Sequence, residues 1–245
     1  LAGSEANIAA MVHFLVDRYA DGPRKALRGI AKPPEPVEYP EVGVYHPRMP
    51  ARMSRSRADL PRVATTGKRG TVGLLLMRSY LLAGNTDHYD GVITAMEARG
   101  LRVIPAFATG LDSRPAIDAF FFDSGRPAID AVVSLTGFSL VGGPAYNDAK
   151  AAEDMLAKLD VPYLAVTPVE FQTLQSWGAD RQGLLPLEST MMIAIPELDG
   201  GIVPMVFGGR SDGTDAPCTG CRRGCTFAPT GEVRAMQSCS ERAEM

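Results

Sequence analysis

Two carboxylates, a histidine and four clustered cysteines are the side chains in this sequence with the most chemistry to offer. Glu197 and Asp199 stand in Pro196-Glu197-Leu198-Asp199-Gly200, between an apolar segment and a strand. Carboxylates ligate hard cations and accept protons. The plainer reading of the same residues is a turn, because Asp-Gly is a turn dipeptide. Among the histidines, His88 is the best placed, at a helix start beside a strand edge; His13, on an amphipathic helix, and His46, before Pro47, read as surface or partly buried residues. Cys218-Thr219-Gly220-Cys221 is a CxxC, followed by Cys225 and Cys239. Four thiolates suit a structural Zn²⁺ or an Fe–S cluster, and spacing alone does not choose between them. The competing reading is four free surface thiols. Confinement of all four to the last part of the chain points to a reducing compartment rather than a disulfide framework.

The elements that must position these groups follow from apolar patterning. Residues 5–19 have helical spacing, with Ile8, Met11, Val12, Leu15 and Val16 on one face and Ser4 as a cap, and read as the end of a preceding domain over 1–32. Pro33, Pro34, Pro36, Pro40, Pro47, Pro50 and Pro61 make 33–69 an extended arm, because proline interrupts both helices and sheet ladders. From Thr71 the chain alternates. Strands are expected at 72–77, 102–107, 131–135, 163–166 and 202–207. Helices are expected at 87–99, 115–121, 147–159 and 169–177, with a helix or buried apolar segment at 187–195. Continuous Val/Ile/Leu strands separated by helices imply a parallel sheet covered on both faces. The expectation for 70–210 is therefore an α/β domain, doubly wound and flavodoxin-like, with 211–245 a Cys-rich loop and the start of a helix.

Ligands of such a sheet bind beyond the carboxyl ends of its strands. The residues there include Arg78, Thr136, Gly137, Phe138, Gly142, Gly143, Glu170 and Arg210. Glycine lets backbone N–H groups approach a ligand, and arginine pairs with carboxylates. Each loop by itself is explained as well by a tight turn; all five at one edge favour a binding site. The Phe120-Phe121-Phe122 run reads as core or interface.

Composition excludes several classes. The chain has 245 residues, 45% hydrophobic and 22% charged, with a net charge of −3, so nothing drives it as a whole toward nucleic acid. Lys and Arg outnumber Asp and Glu over residues 1–70, and the reverse holds over 71–210. No apolar run reaches the length of a membrane span. No GxxxxGKS/T loop exists and no GxGxxG follows a strand, so a reaction that needs ATP would draw on another chain to hold it. The first and last residues read as cuts, and the expectation is that the chain is a piece of something larger.

Ser134-Leu135-Thr136-Gly137-Phe138-Ser139-Leu140-Val141-Gly142-Gly143-Pro144-Ala145 resembles the central stretch of the large subunits of the magnesium and cobalt chelatase family. Arg102-Val103-Ile104-Pro105-Ala106-Phe107, Pro196-Glu197-Leu198-Asp199-Gly200 and Pro204-Met205-Val206-Phe207-Gly208-Gly209-Arg210 resemble it as well. The wording is closer to the magnesium branch. The resemblance implies a subunit that binds protoporphyrin and holds the site of Mg²⁺ insertion in chlorophyll and bacteriochlorophyll synthesis. ATP would be hydrolysed by an AAA+ partner, and a second small subunit would complete the enzyme. It also implies acidic residues at the site, with Glu197 the position that matches, and a cytoplasmic location, peripheral to a photosynthetic membrane. A cobalt chelatase acting on a corrin precursor, and a flavodoxin-like module that binds without chemistry, are the alternatives.

Overall fold

The computed structural model describes residues 2–30, 32–62, 69–143, 145–211 and 236–238. It divides into two compact units. One comprises Leu1–Pro40 with Ser79–Asn85, the other Glu41–Arg78 with Thr86–Met245.

In the smaller unit, α1 (Glu5–Tyr19) begins at Ser4, whose hydroxyl accepts from the Asn7 N–H, the cap expected from sequence. Asn7 also clamps the proline-rich arm: its side chain accepts from Val37 N–H at 2.7 Å and donates to Val37 C=O at 3.0 Å. The face in contact with the rest of this unit is therefore that of Asn7 and Ala10. The apolar face read from the sequence is turned outward, with Ile8, Met11, Val12 and Leu15 between 42% and 51% exposed.

The larger unit is built on a six-stranded sheet. Its elements are β1 (Val42–Tyr45), β2 (Met53–Ser54), β3 (Thr71–Met77), α2 (Arg78–Leu82, which runs on into the smaller unit), α3 (Asp87–Ala98), β4 (Arg102–Ala108) and α4 (Arg114–Phe120). A two-residue hairpin, β5 (Phe122–Asp123) with β6 (Arg126–Pro127), leads to β7 (Ala131–Ser134). After a second hairpin, β8 (Gly142–Gly143) with β9 (Tyr146–Asn147), come α5 (Ala149–Leu159) and β10 (Tyr163–Ala165). Next are β11 (Thr167–Thr173), α6 (Leu174–Ala179), a helical run of α7 (Pro186–Ser189), a π turn at Thr190–Ala194 and α8 (Ile195–Leu198), then β12 (Val206–Arg210) and β13 (Met236–Ser238).

The sheet order is β10-β7-β3-β4-β1-β2, and β10, β7, β3 and β4 are mutually parallel. The central strands are buried along nearly their whole length, which is why they read as unbroken apolar runs. Gly73, in the middle of β3, leaves room for the Phe121 ring to lie across the strand: a Cβ there would stand 2.6 Å from it. Phe120 and Phe121 are accordingly core.

Four expectations are corrected. The proline-rich arm is not merely a crossing segment: β1 pairs antiparallel with β4 and carries β2 at the sheet edge. Its His46 is buried, not surface. Nδ1 accepts from Arg48 N–H, so Nε2 donates to Glu97 at 3.2 Å, and burial lowers the ring's pKa despite that carboxylate. The segment from Val169 opens as strand β11, not helix, because it pairs parallel with β12; helix starts only at Leu174. Finally, the single expected sheet is split: among the described residues a three-stranded sheet stands apart from the six-stranded one. Ile202 bridges Leu164 of β10 for a single residue, and the chain then leaves. Val203 has φ +58 and Pro204 has no N–H to give a ladder, so β12 forms in a separate sheet ordered β11-β12-β13.

Candidate functional site

Of the five strand-end loops, the second and third, after β4 and β7, meet at the carboxyl end of β3. Together they line one shallow pocket through Leu76 and Met77 of the strand and Ala108, Gly110–Ser113, Thr136, Phe138 and Ser139. The second and third loops are bonded to each other: Ser113 N–H donates to Leu140 C=O at 3.0 Å, and Gly142 N–H to Leu111 C=O at 2.8 Å. Asp112 is gripped by Arg114 (Nε to Oδ1 at 3.0 Å, Nη2 to Oδ2 at 2.7 Å), which keeps its carboxyl below the usual range. Thr136 Oγ1 pairs with Ser134 Oγ at 3.0 Å and accepts from Phe138 N–H at 3.2 Å, fixing the turn.

The helical run 186–198 is held against this edge at several points. Pro196 has no N–H for the carbonyl four residues back, and its ring crowds that carbonyl, which accounts for the π turn just before it. The Met192 carbonyl takes the Thr167 hydroxyl instead, at 2.9 Å. At the end of the run Asp199 is buried. Its Oδ2 accepts from Ser139 Oγ at 2.7 Å and from Leu140 N–H at 2.8 Å. Its Oδ1 is buried with no hydrogen-bond partner among the described residues. Burial therefore pushes this carboxyl upward, against the lowering effect of its two donors. Gly201 closes the turn: its N–H donates to Pro196 C=O at 2.9 Å, and a Cβ there would stand 2.8 Å from both that oxygen and Ala165 Cβ. The whole Pro-Glu-Leu-Asp-Gly-Gly stretch is thus a fixed shelf beside the loop that follows β7. Glu197 stands exposed on it, two residues before the Asp199 anchor.

The remaining sequence candidates are placed differently. His88 does not face the edge. It is fully buried, its ring 3.8 Å from that of Tyr89 and stacked on Phe207 at 5.9 Å, and burial drives its pKa down to about 3. A neutral ring closed off from solvent cannot take protons from a ligand at neutral pH. The glycines owe their lack of a side chain to the fold's own atoms. Gly137 has φ +71, and a Cβ would lie 2.6 Å from Met192 Cε and 2.9 Å from Pro168 Cδ. Gly142 is closed by Tyr146 and Asn147 across the β8–β9 hairpin, and Gly143 by Leu111. Glu170, in β11, and Arg210, the last residue of β12, belong to the second sheet and are half-buried, as is Arg78, which opens α2 directly after β3. Cys218, Cys221, Cys225 and Cys239 lie outside the described residues. Among those described, no group of three or more His, Cys, Asp or Glu is arranged to hold a metal.

Sequence reasoning missed Ser139, whose hydroxyl donates to Asp199, and Glu188. Glu188 is fully buried and accepts from Phe171 N–H, Gln172 Nε2 and Leu185 N–H. Its one local signal was a Glu at the third position of a helix opened by Pro186. Nothing local announces Ser139, because its partner is 60 residues away.

A family described as CobN/Magnesium Chelatase matches residues 1–230. The chain is 54% identical to the magnesium-chelatase H subunit of Cereibacter sphaeroides, over all of this chain and 20% of that protein. It is 38% identical to the chloroplastic magnesium-chelatase subunit ChlH of Oryza sativa subsp. japonica, over 87% of this chain and 16% of that one. The catalytic subunit of cobaltochelatase from Mycobacterium tuberculosis has the same fold, at a TM-score of 0.61 and 24% identity, covering 99% of this chain and 18% of that chain. The chain thus spans about a fifth of the length of the curated relatives it matches. Matched by the family through residue 230, and along its whole length by the Cereibacter protein, the chain belongs to the CobN/magnesium chelatase family.

Proposed function

We propose that the chain is part of the porphyrin-binding subunit of a magnesium chelatase, and that Glu197 is the carboxylate at which Mg²⁺ exchanges water for porphyrin nitrogen. The observation that carries the reading is the fixed shelf. Asp199 ties the turn to Ser139 and Leu140 at 2.7 and 2.8 Å, so Glu197 stands exposed on a backbone that cannot drift. Mg²⁺ gives up its water shell reluctantly and prefers oxygen ligands. Insertion must also remove two pyrrole protons. An exposed carboxylate serves both needs, as a weak oxygen ligand to the substrate metal and as a proton acceptor. Asp199 acts through Glu197 by holding the turn, and His88 acts as packing for the second sheet.

The pocket between the strand-end loops receives only the edge of a macrocycle, with the rest of the porphyrin lying over the loops. Arg78 and Arg210 are the cations of this chain suited to propionate carboxylates, and Thr136, Phe138 and Glu170 complete the proposed contact set. The strand order β4-β3-β7-β10, which reverses between β3 and β7, supports a doubly wound, flavodoxin-like reading with its ligand at that reversal. ATP hydrolysis falls to a partner AAA+ subunit, with a second small subunit completing the assembly. No helix among the described residues is long and apolar enough to cross a membrane. The four cysteines are proposed to share one Zn²⁺ or Fe–S cluster; Cys221→Ser should then abolish near-stoichiometric metal content, and unchanged content would reject it.

The test uses the full-length subunit with both partners. Protoporphyrin should bind with a change in its absorbance and fluorescence, and Mg²⁺ should be inserted in an ATP-dependent reaction. Absence of porphyrin binding would leave a module without this chemistry. Insertion of Co²⁺ into a corrin precursor, without Mg²⁺ insertion, would move the chain to the cobalt branch.

A further inference from the structure

The outward stripe of α1 is an apolar feature that the site does not use. Ile8, Met11, Val12, Leu15 and Tyr19 recur every three or four residues along one side of a 15-residue helix, and they are between 42% and 68% exposed. That spacing makes a continuous band along the helix, the pattern by which one helix packs on another element. The helix already has a use for a different face, since Asn7 and Ala10 are buried and Asn7 clamps the arm. Beside the band, Ala10, Met11, Phe14, Pro33, Pro34 and Pro36 line a mainly apolar groove that extends the same surface onto the proline-rich arm. Scattered apolar residues on a surface are ordinary, but a contiguous band with an adjoining groove marks an interface.

We infer that this band is an interface within one polypeptide: in the full-length protein it is covered by the part of the chain that lies outside these 245 residues. The relatives supply the reason for choosing this occupant over a second copy. The whole of this chain matches about a fifth of the Cereibacter chelatase protein, so some four-fifths of such a protein lies elsewhere. In the solved cobaltochelatase, too, essentially all of this fold sits within a chain of which it is 18%. A helix whose apolar stripe is turned away from its own unit, in a chain with that much further polypeptide, is an outlying element of a neighbouring body. The inference rests on the family's length and on exposure, not on the metal chemistry proposed above.

Hydroxyl-radical footprinting of the full-length wild-type protein tests it, because Met11, Phe14 and Tyr19 are themselves reactive probes. Oxidation of the peptides carrying them is read by mass spectrometry in the native protein and in the denatured chain. The expected result is protection on folding well beyond the roughly twofold that the partial exposure of Met11, Phe14 and Tyr19 in this chain would give by itself, unchanged when the protein is diluted. Protection of about twofold or less would overturn the inference. Protection that disappears on dilution would also overturn it, by making the occupant a second copy. As an independent arm, Val12→Asp in the full-length chain should lower the thermal midpoint of the native protein, whereas a solvated helix face would leave it unmoved.

Discussion

His88 gives a prediction whose size follows directly from its surroundings. The ring is fully buried, and burial lowers its pKa from 6.5 to about 3. Between those values the unfolded chain carries a proton on this residue that the native protein does not. Stability from this group is therefore complete above pH 6.5 and is lost as pH falls toward 3. At about 1.4 kcal/mol per pH unit the whole span is worth about 5 kcal/mol, and the stretch from pH 6 to pH 4 about 2.5 kcal/mol. His88→Gln keeps a polar side chain of similar size but removes the titration. The variant should be less stable at pH 7, by about 1–3 kcal/mol for a buried substitution. The gap between wild type and variant should then close by about 2.5 kcal/mol from pH 6 to pH 4. Urea unfolding followed by circular dichroism at a series of pH values measures this, with each curve compared only with its partner at the same pH. Parallel stability profiles would refute the account of His88 as a neutral, buried ring. The same variant should leave the pH optimum of Mg²⁺ insertion where it is, since a group with this pKa is not the working base.

Asp199→Asn replaces the charged acceptor of Ser139 and Leu140 by an amide and should cost about 1.5–3 kcal/mol in denaturant unfolding at neutral pH. Because burial raises the wild-type carboxyl, its contribution is most favourable at acid pH and declines as pH rises through the raised pKa, so the cost of the Asn variant should be larger at about pH 4 than at neutral pH. Equal unfolding midpoints for the two proteins at neutral pH would dismiss the anchoring role. Gly137→Ala must place a methyl against Met192 and Pro168 at φ +71 and should destabilise by about 2–4 kcal/mol, whereas Gly110→Ala, at φ +78 with open space around it, should cost about 1 kcal/mol. Similar thermal shifts for both would mean that the loop after β7 is not tightly packed.

The parallel strands were legible because burial on both faces writes itself as uninterrupted apolar runs, as in Thr71–Met77 and Arg102–Ala108. The α1 helix and its Ser4 cap were legible because both signals are local. The second sheet was not. Val169–Trp177 has helical composition, and only its pairing with the distant β12 makes its first half a strand. The arm's strand β1 was hidden among prolines and depends on β4 for its partner. The same distinction divides the site. The Pro-Glu-Leu-Asp-Gly turn stands out in sequence, yet the separate roles of its carboxylates, Asp199 buried and bonded, Glu197 exposed, depend on Ser139 and Leu140 far away. His88 was misread because a helix start at a strand edge says nothing of the Phe207 strand that covers it.

The most direct test of the account is Mg²⁺ insertion by Glu197→Gln in the full-length subunit, assembled with its partners, with protoporphyrin affinity measured on the same preparation. The amide keeps the size and hydrogen-bonding capacity of the side chain but loses the charge that attracts Mg²⁺ and takes up a proton. The account predicts porphyrin affinity close to wild type and an insertion rate lower by about 10²–10⁴-fold, the usual cost of losing a general base. An insertion rate within about twofold of wild type, with porphyrin bound, would contradict it and leave Glu197 as no more than the exposed corner of a turn.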